Sequence, residues 1–538
     1  MLFEELECFI SISGNARHSI PSLKKFFKTI KDMGYTGITI GMTDIFELPN
    51  EPYFGYLRFK YTKEELQELD RYGKEIGLNV TPHFQHLGHV GPICKYDTYY
   101  QFADAREVFL EGDERTYALV DKIFKFMSEA FSTDKVHIGM DEAFMMGRGN
   151  HLDKHGFESY INILSRHLLR VREIATKYGY KRFEMWSDMY LHGVFDPSIF
   201  TKSKAEVREL VKDKLPSDVA LSHWGYIIND PVPFTADLEK HFLLTDNVNY
   251  TGAAITWVGY VPDNEHSMRV LTTNLGVCRK FGVKKINVSI WSSSGCEAGL
   301  FTGLPAIYFA AEYTYGRATC KDDIDKNRFK ELVGVDFDDF MKLDLANKPH
   351  PDYKYDWPSS KSYFYSFGDA LLGNLDGHLS ANTNADYLKL YEQIKDLKGG
   401  KYQYIFDMII NLTKILSNKA ELGLNMQKAY KENDKNALKD YAQKVIPTII
   451  NDFKSLYQSI IELDQNEFTQ SGFEIVNYRF GGAFKRLDRI AKRIMEFVDG
   501  KVDSIPELEA ERLPIKTFNL NPNENNYLLF GWNILTSF

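Results

Sequence analysis

The sequence predicts an α/β protein in which a (β/α)8 barrel, the TIM barrel, is followed by a mostly α-helical C-terminal domain. Strand-like and helix-like segments alternate over residues 6–315, and parallel strands need a helix in each crossover. Beyond Cys320 this alternation stops, and apolar residues recur at spacings of three and four, which is typical of helices. We therefore assign residues 1–320 to the barrel, 321–360 to a linking segment and 361–538 to the helical domain.

Apolar patterns and capping residues place the individual elements. Pro21 lies in the first turn of one helix and Gly34 ends it, while Thr62 and Glu65 form a capping box that begins the next. The predicted strands are residues 6–12, 36–42, 78–82, 135–141, 182–186, 219–224, 252–257 and 285–291. The other predicted helices are residues 113–131, 157–178, 204–212, 236–243, 267–281 and 298–313, then 386–397, 402–416, 436–463 and 482–498. Residues 473–482 either pack within the helical domain or project toward the barrel mouth.

Composition excludes several classes of partner. The chain of 538 residues has a net charge of −9, with 44% hydrophobic and 26% charged residues, which argues against nucleic acid or a membrane surface as a partner. No apolar stretch approaches the roughly 20 residues that span a bilayer, and the acidic N-terminus does not resemble a secretory signal. Five scattered cysteines without CxxC spacing indicate neither a disulfide framework nor a zinc site, so we expect a cytoplasmic protein.

The most informative stretch is KVHIGMDEAF, residues 135–144, at the predicted fourth strand. Because side chains alternate along a strand, His137, Gly139 and Asp141 share one face, and the opposite face is wholly apolar. The apolar face suits packing under the outer helices of a barrel, and the other face can carry polar groups where the chain leaves the sheet. The pleat is lost at that exit, so Asp141 and Glu142 can both face one pocket.

Two carboxylates in one pocket repel each other, which raises the proton affinity of the less solvated group and makes an acid and a base from similar residues. Asp141 and Glu142 are therefore the candidate catalytic residues of a glycosidase. The alternative is that this dipeptide only begins the next helix, where acidic side chains favour the positive end of the helix dipole. Its place directly after an apolar strand favours the catalytic interpretation.

Four of the six tryptophans fall at the C-terminal ends of different predicted strands: Trp186, Trp224, Trp257 and Trp291. A single tryptophan is often a core residue. Four at one rim favour a pocket, because aromatic walls with a few polar groups are typical of ligand sites and flat rings stack on the C–H faces of sugars. We therefore predict that these rings line a sugar site at the carboxyl-end face of the barrel.

The pattern His-x-Gly-x-Asp-Glu after an apolar strand resembles the signature of glycoside hydrolase family 20, the exo-acting β-N-acetylhexosaminidases. The barrel resembles the family's catalytic domain, and the helical remainder resembles the C-terminal domain of its compact bacterial branch. The resemblance implies substrate-binding roles for Arg17, His89, Trp224 with Tyr226, Trp257 with Tyr260, and Trp291 with Glu297. We add His137, Trp186 and Asp188 as further candidate substrate-binding residues of the strand ends.

The chain departs from the family pattern in three places. Gln85 stands where the family often has an acidic residue, so carboxylate support for a histidine beside the general acid is not expected from this position. Met140 stands where a second glycine often precedes the Asp-Glu pair. The stretch after Trp291 lacks the acidic residue expected there.

The resemblance implies retaining catalysis without a protein nucleophile. Glu142 protonates the leaving oxygen, and the substrate's own 2-acetamido oxygen attacks the anomeric carbon. Asp141 accepts the acetamido N–H and stabilises the oxazolinium ring, while Tyr226 or Tyr260 donates to the acetamido carbonyl. Glu142 then takes a proton from the water that opens the ring. No metal or organic cofactor is implied, and the expected partner is a small glycan with a terminal β-linked N-acetylhexosamine.

Two alternatives stay open. One is a carbohydrate-binding protein without catalysis, against which the intact carboxylate pair argues. The other is a metal-dependent barrel hydrolase with His83, His86, His89, His137 and Asp141 as ligands, although no HxH pattern lies on a predicted strand. The sequence does not distinguish N-acetylglucosamine from N-acetylgalactosamine, and it leaves the aglycone, the role of the helical domain and the choice between monomer and homodimer undetermined.

Overall fold

The structure, a computed structural model of the chain, describes residues 1–12, 17–191, 197–292, 298–349, 361–379, 382–469 and 472–513. Several predictions fall outside these ranges. They concern Glu297, residues 13–16 of the motif that contains Arg17, the end of the linking segment at residues 350–360 and the end of the helical domain at residues 514–538.

Eight parallel strands close into a barrel, which confirms the predicted fold class. The strands are β1 (Glu5–Ser11), β2 (Gly37–Met42), β3 (Asn79–Phe84), β4 (Lys135–His137), β5 (Arg182–Trp186), β6 (Val219–Trp224), β7 (Val248–Ala253) and β8 (Lys285–Ile290). Each strand pairs with its neighbours in sequence, and β8 closes against β1. The carboxyl ends of all eight strands therefore lie at one face of the barrel.

Helices follow the strands, and their ends obey the predicted capping rules. The Ser19 side chain accepts a hydrogen bond from Ser22 N–H, and Gly34 ends that helix with φ of 114°. Thr62 and Glu65 form the predicted capping box. The helices of this part of the chain are Ile20–Met33, Lys63–Glu75, Gly91–Cys94, Asp97–Tyr100, Glu114–Ala130, Asn150–His155, Tyr160–Lys177, Asp188–Leu191, Lys204–Val211, Pro231–Leu244, Asn264–Phe281 and Leu304–Thr314.

β4 is shorter than predicted. It ends at His137 because Gly139 and Met140 have φ of 68° and 74°, a left-handed conformation that a strand cannot contain. The predicted alternation of faces therefore stops before Asp141. The chain leaves the sheet earlier than its apolar pattern indicated, and the residues that follow belong to a tightly folded loop.

β7 lies four residues earlier than predicted. It begins at Val248 and ends at Ala253, so Trp257 lies in the following loop instead of at the strand end. Asn249 and Thr251 interrupt the apolar pattern of this strand, although both side chains are buried. The sequence did not predict a small antiparallel hairpin formed by Ala103–Ala105 and Val108–Phe109.

The chain divides into two compact units. One contains residues 1–254, 267–292 and 306–324, and so the whole barrel. The other contains residues 325–538 together with 255–266 and 293–305. The boundaries at residues 320 and 360 stay predictions, but the predicted linking segment already contains helices Lys326–Val333 and Phe337–Met341. Among the described residues, no helix has both the length and the apolar character that crossing a membrane requires.

The second unit is helical, as predicted. Its further helices are Lys361–Phe367, Thr383–Ile394, Gln403–Lys419, Leu422–Lys431, Lys435–Asp440, Ile446–Glu467, Phe473–Val498 and Pro506–Glu509. The predicted helix 436–463 is divided near Pro447, which cannot donate a backbone hydrogen bond. Residues 473–482 form the start of a longer helix, and Phe480 packs against Phe367 and Phe453, which confirms packing within the helical unit.

Four buried charges form a ring inside the barrel. Lys135 Nζ lies 2.8 Å from Oε1 of Glu7 and 3.1 Å from Oε1 of Glu184, and Lys285 Nζ lies 2.6 Å from Oε2 of Glu7 and 2.7 Å from Oε1 of Glu184. Burial alone raises the pKa of a carboxyl group, but the two lysines hold the pKa of Glu7 and Glu184 below the ordinary value. The ring is therefore ionised and carries no net charge.

We predict that Lys285→Met destabilises the protein by about 3 to 5 kcal/mol, because it leaves two buried carboxylates with one cation. The matched control is Lys284→Met, since the Lys284 side chain is 73% exposed and pairs with Glu4 at the surface. That change should cost less than about 1 kcal/mol. Urea unfolding followed by circular dichroism measures both, and equal losses for the two variants would contradict the ring's structural role.

Candidate active site

The loop after β4 turns two adjacent carboxylates to one side. Gly139, Met140 and Glu142 have φ of 68°, 74° and 47°. A left-handed conformation is uncommon for residues other than glycine, and it is concentrated at functional sites. A Cβ atom at Gly139 would collide with the Gln85 side chain, so this position also needs glycine for space. Because the chain turns in this way, the Asp141 and Glu142 side chains are not forced apart as they would be on a strand.

His89 joins the two carboxylates. Its Nε2 lies 3.3 Å from Oδ2 of Asp141 and 3.3 Å from Oε2 of Glu142. Burial lowers the pKa of His89, but the two carboxylates outweigh burial and raise it to about 10. His89 is therefore a cation at neutral pH and offsets the repulsion between the two acids.

Asp141 is buried and held on both oxygens. The Gln85 amide donates to Oδ1 at 2.6 Å, while His89 contacts Oδ2. Burial raises the pKa of Asp141, but His89 and then Gln85 lower it below the ordinary value, so the carboxylate stays ionised. Gln85 also accepts a hydrogen bond from Met140 N–H at 3.2 Å, which fixes the amide orientation.

Gln85 is a residue whose role the sequence analysis missed. We expected that Gln85 would give a histidine beside the general acid no carboxylate support, and its side-chain oxygen accepts from Met140 N–H. The Gln85 amide nitrogen supports Asp141 directly. The available signal was its place one residue beyond the end of β3, four residues before His89, on the same strand-end loop.

The Asp188 side chain fixes the backbone of Glu142 by a hydrogen bond. Its Oδ2 accepts a hydrogen bond from Glu142 N–H at 2.8 Å, and its Oδ1 accepts from Nε1 of Trp224 at 3.3 Å. Burial, and then the charge of Asp141, raise the pKa of Asp188 to about 7. Asp188 was predicted to bind substrate, and the structure gives it contacts that position the loop of the acid pair and a tryptophan of the rim.

Trp186 and His137 lie inside the barrel instead of on its rim. Both are fully buried, and their ring centroids lie 4.3 Å apart. Phe9 packs beside both rings. These large side chains fill the barrel interior because they come from strand positions that face inward. The prediction that they contact a sugar directly is therefore corrected: in this structure they form a layer beneath the strand-end loops.

Three other aromatic residues of the barrel unit are partly open. Trp224 and Tyr226 stack with ring centroids 5.3 Å apart and an interplanar angle of 23°, and both are half-buried. Trp291, also half-buried, packs on Phe9 with centroids 4.6 Å apart. These rings keep exposed surface that a ligand can cover.

Arg17 follows β1 and is engaged with neighbouring side chains. It forms an ion pair with Glu65, and its guanidinium lies 4.4 Å from the centroid of the Tyr61 ring. Tyr61 in turn donates to the carbonyl of His18 at 2.7 Å. Arg17 is thereby held in a defined orientation, with most of its side chain covered.

Trp257 and Tyr260 belong to the helical unit, in the segment Ile255–His266. Tyr260 is buried, and its ring packs against Tyr363 and Phe367 with centroids 5.4 and 6.2 Å away. Burial raises the pKa of its hydroxyl. Trp257 is half-buried. Of the two tyrosines predicted to donate to the acetamido carbonyl, Tyr226 is the more accessible, and Tyr260 acts as a packing residue in this structure.

A buried cluster closes the base of the loop that carries Trp257. Asp263 N–H donates to the carbonyl of Ile255 at 2.9 Å, and Lys348 Nζ lies 2.5 Å from Oδ1 of Asp263. Asp344 accepts from Asn264 Nδ2 at 3.0 Å and from Glu265 N–H at 2.8 Å. The loop is thus fastened within the helical unit.

His89, Asp141 and Glu142 also offer one ligand atom each within 4.8 Å of one another, so this cluster can hold a divalent cation. The remaining histidines of the predicted metal set do not join it among the described residues. His86 directs Nδ1 at the carbonyls of Phe84 and Ile138, at 2.9 and 3.1 Å. His83 and His137 are buried, with ring centroids 4.9 Å apart.

Two family models match the chain. The model of the glycosyl hydrolase family 20 catalytic domain matches residues 40–226, which include β3 to β6 and the acid pair, and the model of the glycoside hydrolase 20C C-terminal domain matches residues 338–527. The match over residues 40–226 places this part of the barrel in the class of family 20 glycosyl hydrolase catalytic domains. The chain belongs to glycoside hydrolase family 20, and the two models together cover more than half of it.

Solved structures of other family members resemble the chain distantly. The Vibrio harveyi GH20 exo-β-N-acetylglucosaminidase, in complex with N-acetylglucosamine, has a TM-score of 0.47 and 14% identity, covering 64% of this chain and 58% of its own. The Streptomyces coelicolor A3(2) β-N-acetylhexosaminidase has 0.42 and 14%, covering 62% and 70%. The Streptomyces plicatus N-acetyl-β-hexosaminidase has 0.42 and 15%, covering 62% and 69%. The chain therefore spans 58% of the length of the Vibrio enzyme.

Proposed function

We propose that the protein is an exo-acting β-N-acetylhexosaminidase that removes terminal β-linked N-acetylglucosamine or N-acetylgalactosamine from the non-reducing end of a glycan. The observation that carries this proposal is the convergence of Asp141 and Glu142 on His89, each at 3.3 Å, within the region matched by the family 20 catalytic domain. A non-catalytic binder has no need for two carboxylates in mutual repulsion.

Glu142 serves as the general acid and then as the general base. Its side chain is 43% exposed, against 11% for Asp141, so it has access to the oxygen of a leaving group that extends into solvent. The hydrogen bond from its backbone N–H to Asp188 fixes the loop conformation that presents it. Glu142 protonates the leaving oxygen and later accepts the proton of the incoming water.

Asp141 serves the nucleophile, which is the substrate's own acetamide oxygen. It stays ionised, as a group must that accepts the acetamido N–H and stabilises the positive oxazolinium ring. Gln85 and His89 each use one of its oxygens, but a carboxylate oxygen has two lone pairs and can accept a further hydrogen bond. The intermediate is thus a bicyclic oxazolinium without a sugar–protein bond, and the anomeric configuration is retained.

The terminal sugar binds against aromatic and polar side chains. Trp224, Tyr226 and Trp291 supply half-buried rings, and Arg17 supplies a guanidinium for ring hydroxyls. Trp257 and Glu297 keep their proposed substrate-binding roles. No metal or organic cofactor takes part in this mechanism, and a reducing cytoplasm is the proposed location, because five cysteines are scattered without a pairing pattern.

Chromogenic substrates test the proposal directly. The protein should release p-nitrophenol from the p-nitrophenyl β-glycoside of N-acetylglucosamine or of N-acetylgalactosamine. It should not release it from p-nitrophenyl β-glucoside, because that sugar lacks the acetamide. The metal-dependent alternative draws on the ligand cluster of His89, Asp141 and Glu142, and a chelator separates the two. Activity that survives EDTA supports the metal-free mechanism, and loss that zinc or another divalent cation restores would overturn it.

We predict that Glu142→Gln reduces kcat severely on substrates with poor leaving groups and much less on activated aryl glycosides, which hardly need the proton. The rates of p-nitrophenyl glycoside and of a disaccharide with the same terminal sugar provide the comparison. Equal losses on both substrates would show that Glu142 is not the general acid.

We predict that Asp141→Asn lowers kcat/KM and that the loss corresponds to several kcal/mol of transition-state stabilisation. The substitution removes a negative charge aimed at the oxazolinium ring. In the wild type, fluorination of the acetamide should slow the reaction in step with the number of fluorines, since fluorine weakens the nucleophile. Detection of a covalent sugar–enzyme ester by mass spectrometry, or rates insensitive to fluorination, would exclude substrate assistance while leaving the glycosidase assignment intact.

We predict that Gln85→Leu lowers kcat/KM by about ten- to hundredfold, the scale of one hydrogen bond to a charged group. Losing the amide donor also raises the pKa of Asp141, so the acid limb of the pH profile should move to higher pH. Gln67→Leu is the control for loss of a glutamine amide, because Gln67 donates to the backbone carbonyl of Glu129 at the surface, and it should leave the rate and the acid limb unchanged. A lower rate with an unmoved acid limb would assign Gln85 a packing role only.

A further inference from the structure

Three tyrosines, two exposed and one half-buried, form an aromatic cluster on the loops that follow β2 and β3. The ring centroids of Tyr53 and Tyr56 lie 5.6 Å apart, and Tyr96 lies 5.8 and 6.0 Å from them. Tyr53 and Tyr56 are 46% and 45% exposed. An exposed group of large aromatic side chains is uncommon on a protein surface and typically marks a binding site.

The cluster is held in a fixed arrangement. The Tyr96 hydroxyl donates to the carbonyl of Tyr56 at 3.1 Å, which joins the two loops. Leu57, beside Tyr56, has φ of 59°, an outlying value for a bulky residue, and its side chain is 84% exposed. Arg58 pairs with the buried Asp44, which anchors the strained turn to the end of β2. The loop is therefore pre-organised, and backbone strain of this kind is concentrated at ligand sites.

Packed aromatic side chains connect the cluster to the loop of the candidate site. Phe54, next to Tyr53, is buried and packs on Phe46 and Phe84, with centroids 5.0 and 6.4 Å away. Phe84 is the residue directly before Gln85, which holds Asp141. His89, the other contact of Asp141, lies on the same loop after β3 and precedes Tyr96 by seven residues. Tyr96 thus stands on the loop whose base holds the catalytic carboxylate, and the loop after β2, which carries Tyr53 and Tyr56, packs against that loop and the end of β3.

The chemistry of the cluster fits sugar rings. Tyrosine presents an apolar face and a hydroxyl that can hydrogen-bond, which suits the alternating C–H faces and hydroxyl groups of a glycan. An exo-acting enzyme encloses only the terminal sugar, so the rest of an oligosaccharide must run outward over the strand-end loops. The exposed side of Glu142 is where that leaving portion begins.

We propose that Tyr53, Tyr56 and Tyr96 form a platform that binds the sugar rings on the leaving side of an oligosaccharide substrate. This inference rests on the proposed glycosidase function and extends it by naming the substrate class. The preferred substrate is then an oligosaccharide with at least two further sugar rings behind the terminal N-acetylhexosamine, instead of a glycoside with a small aglycone.

The test compares two substrates that share the terminal sugar. These are p-nitrophenyl N-acetyl-β-glucosaminide, which has no sugar on the leaving side, and N-acetylchitotetraose, which has three. In Tyr53→Ala and Tyr56→Ala, kcat/KM for the tetrasaccharide should fall at least fivefold, with the aryl glycoside unchanged. Tyr100→Ala is the control, because Tyr100 is 55% exposed on the neighbouring short helix but outside the three-ring cluster, and it should leave both values unchanged.

Several outcomes overturn the platform. Unchanged kcat/KM for the tetrasaccharide would do so, and so would equal losses on both substrates, which would mean that the tyrosines only support the catalytic loops. A change in molecular mass on gel filtration with either variant would assign the surface to contact between copies of the chain. If the wild type hydrolyses neither substrate, the proposed function fails separately. Calorimetric binding of N-acetylchitotetraose to the wild type and Tyr53→Ala then decides the platform, and equal affinities overturn it.

Discussion

Four buried charges constrain how the barrel can be assembled. Glu7, Lys135, Glu184 and Lys285 come from β1, β4, β5 and β8, and their mutual contacts form only while all four side chains face the same interior layer. Glu5 adds a further contact with Lys135 at 3.4 Å. A shift of one residue in any of these strands would turn its charge toward the apolar helices outside. The ring therefore fixes strand registers, and with them the points at which the strands end and the functional loops begin.

Support for the acid pair comes from residues that do not react. Asp141 and Glu142 are like charges in contact with one histidine, and such a pair persists only when surrounding groups compensate it. Gln85 donates to Asp141, His89 supplies a positive charge and Asp188 accepts from the Glu142 backbone. The three supports come from loops after β3 and β5, the strands that flank β4 in the barrel. The pairing of β4 with β3 on one side and with β5 on the other is what brings them together.

The helical unit is not confined to the C-terminal part of the sequence. The segment Ile255–His266, which follows β7 and carries Trp257, packs with that unit through Tyr260 and through the pair of Asp263 and Lys348. Lys348, which holds Asp263 of this segment, lies 85 positions further along the chain. This packing fixes the loop that carries Trp257 within the helical unit.

The sequence by itself determined the barrel, the helical remainder and the position of the acid pair, because these are recorded in local patterns: apolar periodicity, capping residues such as Thr62 and Glu65, and carboxylates after an apolar strand. Tertiary structure decided what local patterns cannot carry. Trp186 and His137 became interior residues because barrel closure turned them inward, and Tyr260 became buried against Tyr363. Gln85 gained its role because β3 and β4 are neighbours in space, so that residues 56 positions apart share a hydrogen bond.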